Sequence, residues 1–185
     1  CGSDEKPVHR VELTNDFYMM STEVTQGLYE SVMGTNPSDF SSCGANCPVE
    51  KVSWYDAVRM ANKLSERDGF ESCYQIDSGS HPSVLWNNKD CTGWRLPTEA
   101  EWEFAARGGN DSQGYIYSGD DDISKVCERY NDVYTVCGGR LFNELGIYDM
   151  TGNVAEWCQD WFDPDYYKYS PVDNPRGPIV AIKSN

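Results

Sequence analysis

Residues 95–109, with the sequence RLPTEAEWEFAARGG, constrain the fold of this chain more than any other stretch. Thr98 and Glu101 have the spacing of a capping box, in which each side chain accepts a hydrogen bond from the other residue's backbone N–H. Gly108 follows the last apolar position and can adopt the left-handed conformation that ends many helices. The stretch therefore predicts one short helix whose two ends are both encoded locally.

The carboxylates of this stretch also raise the question of acid–base chemistry. Glu99, Glu101 and Glu103 lie in or near the first turn, where negative charge is favoured by the helix dipole. Arg95 and Arg107 are close enough in sequence to pair with them. We therefore interpret the three carboxylates as structural.

The same kinds of signal predict two further helices. Thr25 caps a segment that Gly34 ends, and Ser53 with Asp56 caps a longer amphipathic segment that Gly69 ends. Short strands are predicted at 11–13, 17–20, 115–117 and 179–182, whereas residues 71–94 are predicted to be irregular.

Length and composition favour one domain, residues 1–185, of a loop-rich α+β kind, because Gly, Pro and aromatic residues are frequent. The formal net charge is −15, which disfavours nucleic acids and anionic membranes as partners. No apolar run is long enough for membrane insertion. Since the sequence begins at Cys1 without Met, a lipid anchor on Cys1 and a trimmed domain are both compatible with it.

Eight cysteines are present, without a C-x-x-C motif and with only two histidines. This pattern disfavours a zinc site and indicates disulfides formed in an oxidising compartment, so we expect a secreted, extracellular or periplasmic protein.

Cys158 is interpreted as a small core residue, and Cys1 lacks a local partner and could link copies of the chain. Three local pairs are the disulfide candidates: Cys43 with Cys47, Cys73 with Cys91, and Cys127 with Cys137.

The central stretch resembles the signature of the formylglycine-generating enzyme (sulfatase-modifying factor) domain family. Other segments resemble the same family and occur in the expected order. This resemblance implies an α+β fold of the C-type-lectin-like kind, with few short strands and helices and much irregular structure. The matching segments are DEKPVHRV at 4–11, FY at 17–18 with EVT at 23–25, PV at 48–49 with VSW at 52–54, GIYDMTGNVAEW at 146–157, and NPRGP at 174–178.

The resemblance also implies a structural calcium site. In the matching segment, Asp149 and Glu156 would supply side-chain oxygens, and Gly152 and Val154 would supply backbone carbonyls. Calcium takes such oxygen ligands from loops. Ala155 replaces the Trp that this motif commonly carries, so the packing around it is expected to differ.

Family enzymes oxidise a substrate cysteine to formylglycine with copper and oxygen, and hold copper through two cysteines that follow an R-G-G-S-like stretch. Residues 1–185 contain neither an R-G-G-S sequence nor a pair of cysteines that follows one. We therefore assign no catalytic residue and expect a non-catalytic binding or structural module, whose partner is a protein, a glycan or another copy of the chain. Two alternatives stay open: a copper-dependent oxidase whose catalytic segment lies outside this sequence, and a carbohydrate-binding domain that uses the aromatic, acidic segment 161–169. Asn110 also begins an N-glycosylation pattern.

Overall fold

The computed structural model describes residues 6–78, 82–87, 91–127 and 135–178. Within these ranges the regular elements are few and short, and turns and loops make up most of the chain, as expected for this α+β class. No helix in the described ranges is long and apolar enough to span a membrane. The elements are helices α1 (Gln26–Met33), α2 (Trp54–Asp68), α3 (Glu99–Ala106) and α4 (Ile123–Val126), strands β1 (Tyr74–Ile76) and β2 (Val84–Trp86), and 3₁₀ turns at Ser41–Cys43, Gly109–Asp111 and Tyr166–Lys168.

The predicted ends of helices α1 and α2 are confirmed. Thr25 Oγ1 accepts a hydrogen bond from the Leu28 N–H, and Gly34 ends α1 with a φ of 82°. At the start of α2, both hydrogen bonds of the capping box between Ser53 and Asp56 are present. Local sequence signals thus fix both helices.

Helix α3 has the predicted capping box between Thr98 and Glu101. Arg95 donates two hydrogen bonds to the Glu101 carboxylate, at 2.6 and 2.7 Å, and Arg107 donates to Glu103 at 2.7 Å. These pairs confirm that the two carboxylates have a structural role. The Glu101 carboxylate thus binds Arg95, which precedes the helix, and also accepts the capping hydrogen bond from Thr98.

Strands β1 and β2 form an antiparallel hairpin in which Tyr74 faces Trp86 and Ile76 faces Val84. The prediction that residues 71–94 are irregular is wrong for these two strands, because strands of three residues each are too short to show a period. A disulfide between Cys73 and Cys91 spans the base of the hairpin.

Three buried clusters form the described core. Helix α2 contributes to two of them, so it packs on the hairpin on one side and on α1 on the other. The third cluster joins α3 to the segment around residues 147–150. The buried members are Val58, Ala61, Cys73 and Tyr74 in the first, Tyr29, Met60 and Leu64 in the second, and Ala105, Ile147 and Met150 in the third.

Three strand predictions are wrong. Residues 11–13 do not pair with 17–20. Instead, the Glu12 N–H donates to Val172 O and Glu12 O accepts from the Asn174 N–H, so this segment pairs with a distant part of the chain. Residues 115 and 116 are irregular, and Tyr117 begins a tight turn in which its N–H donates to Asp120 O, while the Asp120 side chain pairs with Lys125. The fourth prediction, at 179–182, lies outside the described residues, as does Cys1.

Two of the three candidate cysteine pairs are bonded in the structure, Cys43 with Cys47 and Cys73 with Cys91. The third candidate is corrected, since Cys127 and Cys137 are both free thiols. Cys127 Sγ lies against the backbone of Gly152, whereas the Cys137 thiol lies beside Glu23. The two sulfur atoms therefore pack against different neighbours.

A candidate calcium site

The loop predicted to bind calcium has an unusual backbone. Asp149 and Asn153 have φ values of 60° and 54°, and Gly152 has a φ of 120°. Asp and Asn are among the few non-glycine residues that adopt such left-handed conformations readily. A Cβ at Gly152 would lie only 2.5 Å from Cys127 Sγ, so both backbone conformation and close packing require glycine there.

Hydrogen bonds anchor this loop to two other segments. Asp149 is buried, and its Oδ2 accepts from the Gly138 N–H at 2.6 Å. Asn153 Oδ1 accepts from the Thr135 N–H at 3.3 Å. On the other side, the Tyr148 N–H donates to Ser21 O at 2.8 Å. These contacts place the loop beside the segment that leads into α1.

The segment before α1 contributes a carboxylate that the sequence analysis did not select. Both side-chain oxygens of Glu23 are buried, and neither accepts a hydrogen bond from the described residues. Burial, followed by the negative charges of Asp149 and Glu156, raises the pKa of Glu23 to about 8. Glu23 therefore joins two of the predicted ligands in one electrostatic neighbourhood.

Glu156 lies at the end of the loop nearest α3. Its Oε2 accepts a hydrogen bond of 2.7 Å from Trp102 Nε1, which fixes the carboxylate against the helix. Enclosure of the carboxyl group, followed by the charge of Asp149, raises the pKa of Glu156 above its ordinary value. Without a cation, negative charge here is thus unfavourable at both Glu23 and Glu156.

A weak donor completes this neighbourhood. The Cys137 thiol points to Glu23 O, with a sulfur–oxygen distance of 3.9 Å. Burial, and then the negative charge of Glu23, raises the pKa of Cys137 far above its ordinary value. The thiol is therefore protonated at neutral pH and is a poor metal ligand in this state.

The chemistry of the site suits a hard cation that takes oxygen ligands. No three His, Cys, Asp or Glu side chains come close enough to form a complete metal cluster within the described ranges. Calcium does not need such a cluster, because backbone carbonyls and water complete its shell of six to eight oxygens. Gly152 and Val154 lie in the same loop as Asp149 and Glu156. The buried Glu23 carboxylate is the group whose negative charge a bound cation would stabilise most.

Sequence reasoning missed Glu23 for a physical reason. A single acidic residue two positions before the N-cap Thr25 shows no period and belongs to no spacing motif. Its burial arises only because the distant loop around Asp149 packs over it. The one available signal was the absence of a basic residue within several positions that could pair with it.

An α+β domain with few helices and short strands is the fold of the formylglycine-generating-enzyme type. The chain belongs to this family, since the sequence profile of the sulfatase-modifying factor enzyme 1-like domain matches residues 2–183. The resemblance inferred from the sequence motifs is thereby confirmed.

Individual relatives have diverse names. The chain is 37% identical to the chaperone protein LppX of Paenibacillus barcinonensis, over 80% of this chain and 63% of the relative. It is 39% identical to the formylglycine-generating enzyme of Streptomyces coelicolor, over 54% of this chain and 38% of the relative. The chain thus spans less than two thirds of either curated relative.

A solved structure supports the fold at greater coverage. Treponema denticola variable protein 1 superposes with a TM-score of 0.75 and 32% identity, over 86% of this chain and 67% of the other. The α+β fold expected for this family is therefore confirmed. Family members with such different names share the fold, so the fold alone does not assign oxidase activity.

Proposed function

We propose that residues 1–185 form a non-catalytic binding module of a secreted or surface-exposed protein, and that calcium at the loop 149–156 stabilises it. The observation that carries the calcium part of the proposal is the Glu23 carboxylate, which is buried beside Asp149 with only the weak thiol donor of Cys137 near it. The disulfides and the similarity to LppX support a location outside the reducing cytosol.

The energetic argument rests on charge. A buried carboxylate without a partner costs free energy and avoids that cost by remaining protonated. A divalent cation bound at this loop, with the carbonyls of Gly152 and Val154 and water completing its shell, would offset the repulsion among Glu23, Asp149 and Glu156 without direct coordination by all three. Binding would then release the proton from Glu23, so calcium affinity should increase as the pH rises towards and beyond about 8.

Thermal unfolding tests this proposal. After treatment with a chelator, adding calcium at about a hundred times its Kd should stabilise the chain by about 2.7 kcal/mol. For a domain of this size that corresponds to a rise in Tm of about 5–10 °C. The rise should be larger at pH 8.5 than at pH 6.5, and magnesium should produce little of it because it demands a tighter octahedral shell.

Two variants make the test specific. Glu23→Gln removes the charge at nearly the same volume and should abolish most of the calcium-dependent rise. Glu103→Gln, which removes an exposed carboxylate paired with Arg107, should leave the rise unchanged. An equal calcium response in both variants, or none in the unaltered chain, would contradict the calcium proposal.

The non-catalytic part of the proposal is supported by the free thiols of the described residues, Cys127, Cys137 and Cys158. Burial raises the pKa of Cys158 to about 12 and raises that of Cys137 as well, so both thiols are protonated at neutral pH. Copper(I) is held by thiolates, and neither Cys137 nor Cys158 is prepared to supply one.

The alternative function, a formylglycine-generating oxidase, is favoured by the name of the Streptomyces relative. Incubation with copper(I), oxygen and a cysteine-containing sulfatase peptide tests it directly by mass spectrometry. We expect no mass change that corresponds to formylglycine. Formation of that product by the purified chain would overturn the non-catalytic proposal without affecting the calcium result.

A further inference from the structure

A cluster of aromatic side chains is exposed where α2 begins. This aromatic surface comprises Trp54, Tyr55, Trp157 and Trp161, together with the exposed Phe162 that follows Trp161 in the chain. Trp157 is 52% exposed, Trp161 is 50% exposed and Phe162 is 72% exposed. Together these three side chains present on the order of 400 Å² of accessible area, which is comparable to the largest apolar patch of a typical monomer.

The indole rings of this surface are held in place by specific contacts. Trp54 Nε1 donates to Cys158 O at 3.0 Å, and Trp157 Nε1 donates to Val52 O at 2.9 Å. The rings of Trp54 and Trp161 stack with their centroids 6.3 Å apart and an interplanar angle of 23°. The indole part of the surface is therefore preorganised, and a ligand would not need to order these rings.

The segment that carries most of the aromatic surface has a negative net charge. Residues 156–165 contain four carboxylates and no Lys or Arg. The cations nearest in sequence are already engaged, since Lys51 pairs with Asp39 at 3.0 Å, Arg59 with Asp56 at 3.2 Å and Lys168 with Asp165 at 2.6 Å. The surface therefore combines exposed π faces with an excess of negative charge.

We propose that the aromatic surface binds a basic polypeptide segment. Arginine or lysine side chains of the ligand would stack on the exposed rings of Trp157, Trp161 and Phe162, while Asp160 and Asp163 attract their charge. Cation–π attraction is strongest at indole. The fold already uses this pairing internally, because Arg95 and Arg176 lie 5.5 and 5.3 Å from the ring centroid of Trp86.

Other occupants fit the charge less well. A second copy of the chain also carries a formal charge of −15 and would be repelled, as would an anionic membrane. A neutral glycan would gain stacking on the rings but nothing from the excess of negative charge. This inference rests on the proposed binding role, and it names the surface and the class of ligand.

Calorimetric titration with defined probes tests the inference. A capped peptide of alternating Arg and Gly should bind the purified chain at low salt, and its affinity should fall strongly at about 0.5 M salt. A peptide with Glu in place of Arg, and a neutral hexasaccharide of glucose, should not bind. Phe162→Ala should weaken binding by about fivefold, as expected for the loss of one cation–π contact.

Phe70→Ala provides the matched control. Phe70 is also about half exposed, but it follows the opposite end of α2 from Trp54, about 22 Å away along the helix. This variant should bind the Arg peptide normally. Asp163→Asn, a nearly isosteric change, should reduce both the affinity and its salt dependence.

Several results would overturn the inference: no binding of the Arg peptide, equal binding by the Phe162→Ala and Phe70→Ala variants, or preferential binding of the hexasaccharide. Self-association that Phe162→Ala abolishes would also overturn it. The calcium-dependent rise in Tm is a separate measurement, so failure of peptide binding and failure of the calcium proposal are distinguishable.

Discussion

Asp160 shows how one residue can make the stability of this domain depend on pH. Its Oδ2 accepts a hydrogen bond of 2.9 Å from the Glu99 N–H at the start of α3. Burial nevertheless raises its pKa to about 6, with a further contribution from the charge of Glu99. The folded state therefore binds the Asp160 proton more tightly than the unfolded state, whose carboxyl titrates near 3.8.

The sign of the effect follows from this difference. As the pH rises from about 4 through 6, the folded state loses up to about 2–3 kcal/mol of stability through Asp160. Asp160→Asn should remove that part of the pH dependence. Urea unfolding of both proteins at pH 4.5 and pH 7.5 measures it, and the variant should gain relative stability at the higher pH. Parallel pH profiles for the two proteins would disprove the assignment.

At the residue scale, the sequence offered candidate ligands only where a motif spans neighbouring positions. Asp149 and Glu156 were selected together because they lie in one recognisable segment, and the structure places both in the electrostatic neighbourhood of Glu23. Glu23 itself is more than a hundred residues away in sequence. The burial that raises the pKa of Glu23 results from tertiary packing, which the local sequence does not encode.

At the scale of elements, the capping box of α3 gives a direct prediction. Thr98 is buried, its Oγ1 accepts from the Glu101 N–H at 3.2 Å, and its own N–H donates to Glu101 Oε2 at 2.9 Å. Thr98→Ala should lower the free energy of unfolding by about 1–2 kcal/mol through loss of the cap. Chemical denaturation measures the change. Thr98→Ser retains the hydroxyl and should lose clearly less, so equal losses would indicate a packing effect.

Helices α1, α2 and α3 were predictable, whereas the short helix α4 and the strands were not, for one physical reason. Caps at Thr25, Ser53 and Thr98 act within four residues, so their signal survives in the sequence alone. The hairpin of β1 and β2 depends on packing against α2 and on a disulfide that spans 18 positions. The pairing of Glu12 with Val172 depends on even longer separation, and an apparent local alternation there was misleading.

For the whole molecule, the distribution of cysteines predicts a specific labelling pattern. In denaturant without reductant, the thiols that the structure leaves free should be alkylated, and the half-cystines should be alkylated only after reduction. Peptide mapping by mass spectrometry distinguishes the two groups. Protection of both Cys127 and Cys137 until reduction would show that they form a third bridge. The expected free thiols are Cys127, Cys137 and Cys158, and the expected half-cystines are Cys43, Cys47, Cys73 and Cys91.

The pairing between Glu12 and the segment at Val172 and Asn174 has a consequence for biosynthesis. The Asn174 side chain also bonds to Thr14, across 160 residues of sequence. Such contacts close a very long loop and form slowly compared with local ones. A nascent chain therefore cannot complete this fold until the segment around Asn174 has left the ribosome, so the pairing with Glu12 forms only after most of the domain has been synthesised.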